Sequence, residues 1–287
     1  MHNAARQVGV VTGASRGIGR WIALGLARAG QHVVLVCRDG ASGRAAVEWI
    51  ARAAPGASLE LRLCELSSLR ETRRLGADIA AEHPRLALLV NNAGMFTARR
   101  QITGEGLETI LAVNHLAPVV LTDGLEEALK AGAPSRIVNV GSSTSDRARI
   151  DPDDLQLARR WGMARAYSQS KLALMIETFE RARRLRGTGV VANVVHPGAV
   201  ATNLVRERGP IALAWLLMTP FLLSEEQGAD TPAHVALAPE WAEVTGAYVK
   251  DRVSAPPNPR ARDPALAAQV VAAGRALIDS AVNGAAA

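Results

Sequence analysis

Aromatic residues are scarce in this 287-residue chain, with 2 Tyr, 3 Phe and 5 Trp making up 3% of it. So few rings to stack on bases argue against nucleic-acid binding, although the formal net charge is +6. Cysteine is limited to Cys37 and Cys64. Each closes an apolar, strand-like run, where a buried free thiol is the ordinary outcome, and neither a disulfide nor a metal role is expected. No His or Cys spacing suggests a metal centre. Lysine occurs only at 130, 171 and 250, so arginine carries the positive charge, scattered in pairs along helical segments as solvated helix faces require. No run reaches the roughly 18 apolar residues of a membrane-spanning helix, and 1–7 is polar, unlike a secretory leader. These absences lead to the expectation of a cytoplasmic protein without a membrane span.

What the chain does contain is alternation. At 48% apolar composition it can bury a sizeable core, and one domain over 1–287 is expected. Strand-like runs at 7–12, 32–37, 58–64, 86–90, 136–140, 190–195 and 246–249 alternate with helical segments to about 29, at 41–53, 69–82 (capped at Ser67 or Ser68) and 105–130, and with a helix over 164–184. Helices of this length between strands imply right-handed parallel crossovers, hence an α/β, Rossmann-type doubly wound parallel sheet of about seven strands with helices on both faces. The segment 254–259 reads as a loop, and 264–287 as a C-terminal helical tail, helical to about 278 with a frayed Ala-rich tip.

A parallel open sheet binds ligands outside the carboxyl ends of its strands. The residues that follow each strand are Gly13 to Gly19, Arg38, Glu65, Asn91 to Gly94, Ser142 and Pro197 to Thr202. The first group, Gly13-Ala-Ser-Arg-Gly17-Ile-Gly19, is a glycine turn between a buried strand and a helix. Such a turn lets the backbone approach a pyrophosphate, which meets free N–H groups at the helix start. Tyr167 and Lys171 sit one helical turn apart on one face. With 2 Tyr and 3 Lys in 287 residues, only about 0.02 such pairs are expected by chance. A lysine held beside a tyrosine favours the phenolate and lowers the phenol's pKa toward neutrality, fitting it for proton transfer.

Taken together, Thr12-Gly-Ala-Ser-Arg-Gly-Ile-Gly19, Asn91-Asn-Ala-Gly94, Asn114, Ser142, Tyr167-x-x-x-Lys171 and Pro197-Gly-Ala-Val-Ala-Thr202 resemble the short-chain dehydrogenase/reductase family, in order and spacing, over about residues 7–250. Arg136-Ile-Val-Asn-Val140, the long gap between Ser142 and Tyr167, Ala182-Arg-Arg-Leu-Arg-Gly-Thr-Gly189 and Val195-His-Pro-Gly198 are most similar to its retinol-dehydrogenase-like reductases. The resemblance implies roles. Tyr167 would protonate a substrate carbonyl oxygen, or accept the proton in the reverse direction. Ser142 would hydrogen-bond that oxygen, with Ser143 and Thr144 as competitors for the role. Lys171 would lower the Tyr167 pKa and hydrogen-bond the nicotinamide ribose, and Asn114 would hold a water that continues the proton relay. A cofactor would be met by Gly13, Ser15, Arg16, Gly17, Ile18, Gly19, Arg38, Glu65, Leu66, Asn91, Ala93, Gly94, Tyr167, Lys171, Pro197, Gly198, Val200 and Thr202. His196 reads as structural.

An NAD enzyme of this type places an acid at the end of the second strand for the ribose 2′-OH. Here that strand ends in Arg38, and Arg16 stands in the glycine turn. Two guanidinium groups suit a 2′-phosphate, which favours NADP(H) over NAD(H), with Asp39 as the competing acid. The apolar run from Ile211 to Leu223 occupies the family's substrate lid, about 203–224, and points to a small hydrophobic carbonyl or alcohol substrate, with core packing or a weak membrane-surface contact as alternatives. The connection from Ser142 to Tyr167 is expected to add a small helix, leaving monomer or homodimer open. The expected activity is NADPH-dependent reduction of a bulky hydrophobic ketone or aldehyde, with secondary metabolism as one setting. An NADP-binding regulatory scaffold and a non-redox cyclase or dehydratase are the competing readings.

Overall fold

The computed structural model describes residues 6–200 and 222–284. One sheet runs through them in the order β3-β2-β1-β4-β5-β6-β7-β8. Its strands are β1 (Val8–Thr12), β2 (His32–Cys37), β3 (Ser58–Leu63), β4 (Leu88–Asn91), β5 (Ser135–Val140), β6 (Val190–Val195), β7 (Tyr248–Lys250) and β8 (Val253–Ser254). Seven strands are parallel, and β8 returns antiparallel to β7. The eighth strand departs from the expected seven, and it converts the start of the expected 254–259 loop into a sheet edge. It has no glycine signal, because Asp251 (φ 46°) and Arg252 (φ 65°) make the tight turn with side chains rarely chosen for it.

The helices are α1 (Gly17–Arg28), α2 (Gly40–Ala53), α3 (Leu69–Glu82), α4 (Thr109–Leu111), α5 (Ala117–Ala131), α6 (Met163–Arg184), α7 (Glu225–Leu237) and α8 (Pro264–Asn283). Strand side chains alternate between faces, and both faces are apolar, as a parallel sheet covered twice requires. Val11, Leu35, Val90 and Val138 pack under Ile22 of α1, Ile50 of α2 and Val235 of α7. Val10, Val34, Leu89 and Ile137 pack under Ile79 of α3, Leu125 of α5 and Ala182 of α6. Cys37 belongs to the first layer and Cys64 to the second, so the sheet separates the two thiols. Burial pushes each to about 11.

Two segments differ from the sequence reading for local reasons. The helix expected from 105 begins at Thr109, because Glu105 caps another helix: its carboxylate accepts from Leu69 N (2.7 Å), Arg70 N (3.1 Å) and Ser68 Oγ (2.9 Å). Ser68 itself is the N-cap of α3, accepting from Glu71 N. The Ser142-to-Tyr167 connection holds only a single 3-10 turn at Pro152–Asp154 beyond the one at Ser143–Ser145. The Asp154 carboxylate takes up Ala158 N and Arg159 N there instead of letting a helix continue.

α8 is the one described helix long and apolar enough, by length and composition, to cross a membrane. Its inner face, Ala267, Val270, Gly274 and Ile278, is buried in the fold. Arg275 on the same helix pairs with Asp123 of α5.

Candidate active site

The order of the sheet reverses between β1 and β4, and the crevice outside their carboxyl ends is where a parallel sheet presents a ligand site. β1 ends at Thr12 and the chain turns through Gly13 (φ 67°) and Gly17 (φ 63°), left-handed conformations that glycine adopts without strain. Gly19 is required for a different reason: a Cβ there would lie 2.4 Å from the Gly13 carbonyl oxygen and 2.4 Å from Asn92 Nδ2. The N-cap of α1, Arg16, provides no side-chain acceptor, so the first-turn N–H groups are left for an anion. Ser15 is half-buried, Arg16 is exposed, and Ile18 packs on Gly228 of α7.

Asn92, read from the sequence only as part of the Asn91-to-Gly94 turn, has a role of its own. Its backbone N donates to Thr12 Oγ1 (3.0 Å) and its Nδ2 to the Thr12 carbonyl (2.9 Å), while Ala93 N also donates to Thr12 Oγ1 (3.0 Å). These bonds tie the turn after β4 to the glycine turn. Asn91 points elsewhere: Nδ2 donates to Asn139 Oδ1 (2.8 Å) and Thr122 Oγ1 (3.1 Å) beneath the crevice. Its Oδ1 is buried without a partner beside a narrow pocket lined by Thr12, Leu66, Ala93, Val113 and Pro118. Open helix N–H groups and glycines where a backbone must come close together fit a dinucleotide.

At the tip of β2, the Arg38 guanidinium is half-exposed and lies 3.8 Å from Glu65 Oε2. Glu65 Oε1 accepts from Ser67 N (3.1 Å). Asp39 is committed as the N-cap of α2, accepting from Ser42 N at 2.8 Å, and this bond holds its carboxyl below the usual range. Farther along the edge, Gly198 has φ 84°, and Val200 bridges to Leu223, whose N donates to the Ala199 carbonyl (2.8 Å). Pro197 opens this turn, half-buried. Thr202 and nearly all of the expected lid lie outside the described residues.

The catalytic candidates converge on the same edge. Lys171 is 3% exposed and donates from Nζ to the Val140 carbonyl at 2.7 Å. Desolvation lowers its pKa to about 8. Tyr167 lies one turn earlier, with Lys171 Nζ 5.9 Å from its ring centroid. Burial lifts its phenol to about 12, and the nearby Ser142 hydroxyl offsets this only in part. The expectation that Lys171 pulls the phenol down therefore fails in this arrangement: the ammonium is spent on the Val140 carbonyl and the apolar surroundings win. Ser142, not its neighbours, holds the position beside Tyr167. Ser142 Oγ also accepts from Thr144 N (3.3 Å), and Ser143 N donates to His196 Nδ1 (3.2 Å), giving His196 a structural bond.

Asn114 lies in a π turn, Ala112–Leu116, and is 0% exposed. Its Oδ1 accepts from Met95 N (2.8 Å), and its Nδ2 donates to the Met95 carbonyl and Ser170 Oγ (both 3.1 Å). The amide thus clamps the loop after Gly94 against the catalytic helix. A Cβ on Gly94 would stand 3.5 Å from both Asn114 Oδ1 and Lys171 Nζ, so this glycine keeps the approach to both open. Two further contacts were invisible in the motifs. The Phe96 ring meets Tyr167 edge to face at 5.2 Å, and Leu157 and Trp161 from the long connection pack with Ile110 against it. With 2 Tyr and 3 Phe in the chain, an aromatic two residues after Gly94 was the available signal.

A doubly wound parallel sheet with a glycine turn at its switch point and a serine, tyrosine and lysine along the same edge defines a dinucleotide-dependent oxidoreductase acting on CH–OH or C=O groups. The short chain dehydrogenase family model matches residues 7–211, and the chain belongs to that family. It is retinol-dehydrogenase-like: it is 39% identical to human retinol dehydrogenase 12 over 257 residues, covering 90% of this chain and 81% of that protein. An uncharacterised protein from Mycobacterium paratuberculosis superposes with a TM-score of 0.78 at 29% identity, covering 96% of this chain and 94% of that one. A metagenomic short-chain oxidoreductase in complex with NADP superposes at 0.64 with 28% identity, covering 85% of this chain and 96% of that one. These relations support a nicotinamide cofactor.

Proposed function

We propose that the protein is an NADPH-dependent reductase of the carbonyl of a bulky hydrophobic ketone or aldehyde. The observation that carries the cofactor choice is the tip of β2, where the half-exposed Arg38 guanidinium, loosely paired with Glu65 at 3.8 Å, is within reach of a 2′-phosphate while Asp39 is tied to Ser42 N. The NADP complex among the structural relatives supports the same reading, and the name of the curated relatives supports a long apolar substrate.

A nicotinamide bound along this edge supplies the hydride. The chain's own residues do the rest. Tyr167 donates its hydroxyl proton to the substrate oxygen as that oxygen becomes an alkoxide, and Ser142 stabilises the same charge with a hydrogen bond. For Tyr167 to lose its proton near neutrality, its pKa must fall from about 12. A Lys171 ammonium released from the Val140 carbonyl and drawn toward the hydroxyl lowers it. Phe96, Leu157 and Trp161 pack around the Tyr167 ring and hold it in place. The Asn114 amide is engaged by Met95 and Ser170, so its role here is to hold the loop after Gly94 against the catalytic helix.

The test is NADPH oxidation by the purified chain against a panel of apolar aldehydes and ketones, with Tyr167→Phe as control. Consumption by wild type alone is the expected result, and equal consumption by both, or product without NADPH loss, overturns the reading. Arg38→Asp is expected to weaken NADPH binding by about tenfold or more while sparing NADH. Equal losses would remove the phosphate argument.

A further inference from the structure

We propose that His32, Glu60 and His83 form a binding site for one divalent transition-metal ion of the zinc class, at the end of the sheet opposite the active-site crevice. The three residues come from separate elements. His32 opens β2, Glu60 lies in β3, and His83 is the C-cap of α3. His32 Nε2 is 3.2 Å and His83 Nε2 is 2.9 Å from the same oxygen, Glu60 Oε2, and the three atoms all lie within 4.8 Å of one another. Four-coordinate zinc with bonds of about 2.0–2.1 Å holds its ligand atoms roughly 3.3–3.4 Å apart, so each Nε2 already stands within a few tenths of an ångström of the required distance from Oε2, and the two rings, within 4.8 Å of each other, close on an ion by side-chain rotation. Two imidazoles and one carboxylate leave a fourth position to water. The side chains are 17–21% exposed, which gives an ion a path in.

The surroundings orient these ligands. His32 Nδ1 is 2.7 Å from Ser58 Oγ. A ring proton held at Nδ1 and accepted by Ser58 leaves the Nε2 lone pair for the ion. Arg62 donates to Glu60 Oε1, not Oε2, so the carboxylate is steadied through one oxygen and offers the other. Glu82 in turn pairs with Arg62. Glu60, Arg62 and Glu82 together carry one net negative charge, which favours a dication between two neutral imidazoles. Binding shifts the proton of each neutral ring from Nε2, where it faces Oε2, to Nδ1, replaces those two contacts with three coordination bonds and clips the β2–β3 edge to the end of α3, so the expected consequence is added stability, with the chemistry untouched.

The experiment titrates the metal-stripped full chain with Zn²⁺ against a chromophoric chelator, follows Co²⁺ by its visible d–d bands, and records melting temperature with and without Zn²⁺. One ion per chain with a dissociation constant of about 10 μM or tighter, tetrahedral Co²⁺ bands and a raised melting temperature are expected. His83→Gln and His32→Gln should each weaken binding by at least about tenfold, and Ser58→Ala should weaken it measurably by freeing the ring. Mg²⁺ should give no shift, and carbonyl reduction should be equal in wild type and His83→Gln. Binding weaker than about 100 μM, or Zn²⁺ affinity unchanged in both histidine variants, overturns the proposal. Should one variant fail to fold, the other and the Co²⁺ spectrum of wild type decide it.

Discussion

Replacing Lys171 by methionine separates what the lysine does to the fold from what it does in the site. Burial lowers the ammonium from an ordinary 10.5 to about 8, which corresponds to about 3 kcal/mol of destabilisation carried by the charged form. A base with a depressed folded pKa binds fewer protons folded than unfolded. The penalty is therefore fully present below about pH 8, fades as pH rises toward 10.5, and has fallen below about 1 kcal/mol at pH 10. Methionine keeps the apolar stem and removes the charge, but it leaves the Val140 carbonyl, now bonded at 2.7 Å, without its donor, a loss of about 1–2 kcal/mol. The net expectation at pH 7 is a variant more stable by about 1–2 kcal/mol, or about 3 °C in melting temperature. At pH 10 the order should reverse, and activity should be absent at both. Scanning calorimetry of wild type and Lys171→Met at pH 7 and pH 10 reads this directly. A variant less stable than wild type by the same amount at both values would show that Lys171 is not a buried charge held at the fold's expense.

Gly19→Ala brings a Cβ to 2.4 Å from the Gly13 carbonyl and Asn92 Nδ2. The glycine turn must shift, and a loss of about 1–3 kcal/mol is expected, larger than the roughly 1 kcal/mol that alanine returns in a helix, with cofactor binding reduced in a fluorescence titration. Asn92→Ala removes the side-chain bond to the Thr12 carbonyl and should lower cofactor affinity more than it lowers the melting temperature. Glu105→Ala uncaps α3 from 36 residues away and should cost about 1–2 kcal/mol in urea denaturation, leaving kcat unchanged. Arg181→Met removes the guanidinium, 2% exposed, that Asp123, Glu126 and Glu177 share, while Arg275, Lys130 and Arg184 still face them, so it should destabilise by about 1.5–3 kcal/mol at pH 7. Part of that loss should return on acidification as Glu177, whose carboxyl burial already raises, protonates first.

The local sequence decided what depends on neighbours along the chain. Continuous apolar runs bounded by turns set β2 and β6, and the amphipathic pattern with a serine cap set α3, because these are patterns among residues close in the chain. The glycine turn was legible for the same reason: positive φ at Gly13 and Gly17 is a property of the residue type. Residue order also placed Ser142, Tyr167 and Lys171 after their strands, and in a parallel sheet that is enough to bring them to one edge.

Tertiary structure alone decided everything that balances groups distant in sequence. Whether Lys171 lowers the Tyr167 pKa depends on what else surrounds them, and here the Val140 carbonyl and the apolar packing reverse the result expected from spacing. Glu105 reads as the first turn of a helix until α3, 36 residues earlier, presents three donors to it. His32, Glu60 and His83 have no motif, since their nearness follows from the register of β2 on β3 and the point where α3 ends. Burial and electrostatics are sums over space, whereas a motif is a pattern along the chain, so residue types and elements follow from the sequence while their charge states and partnerships follow only from the fold.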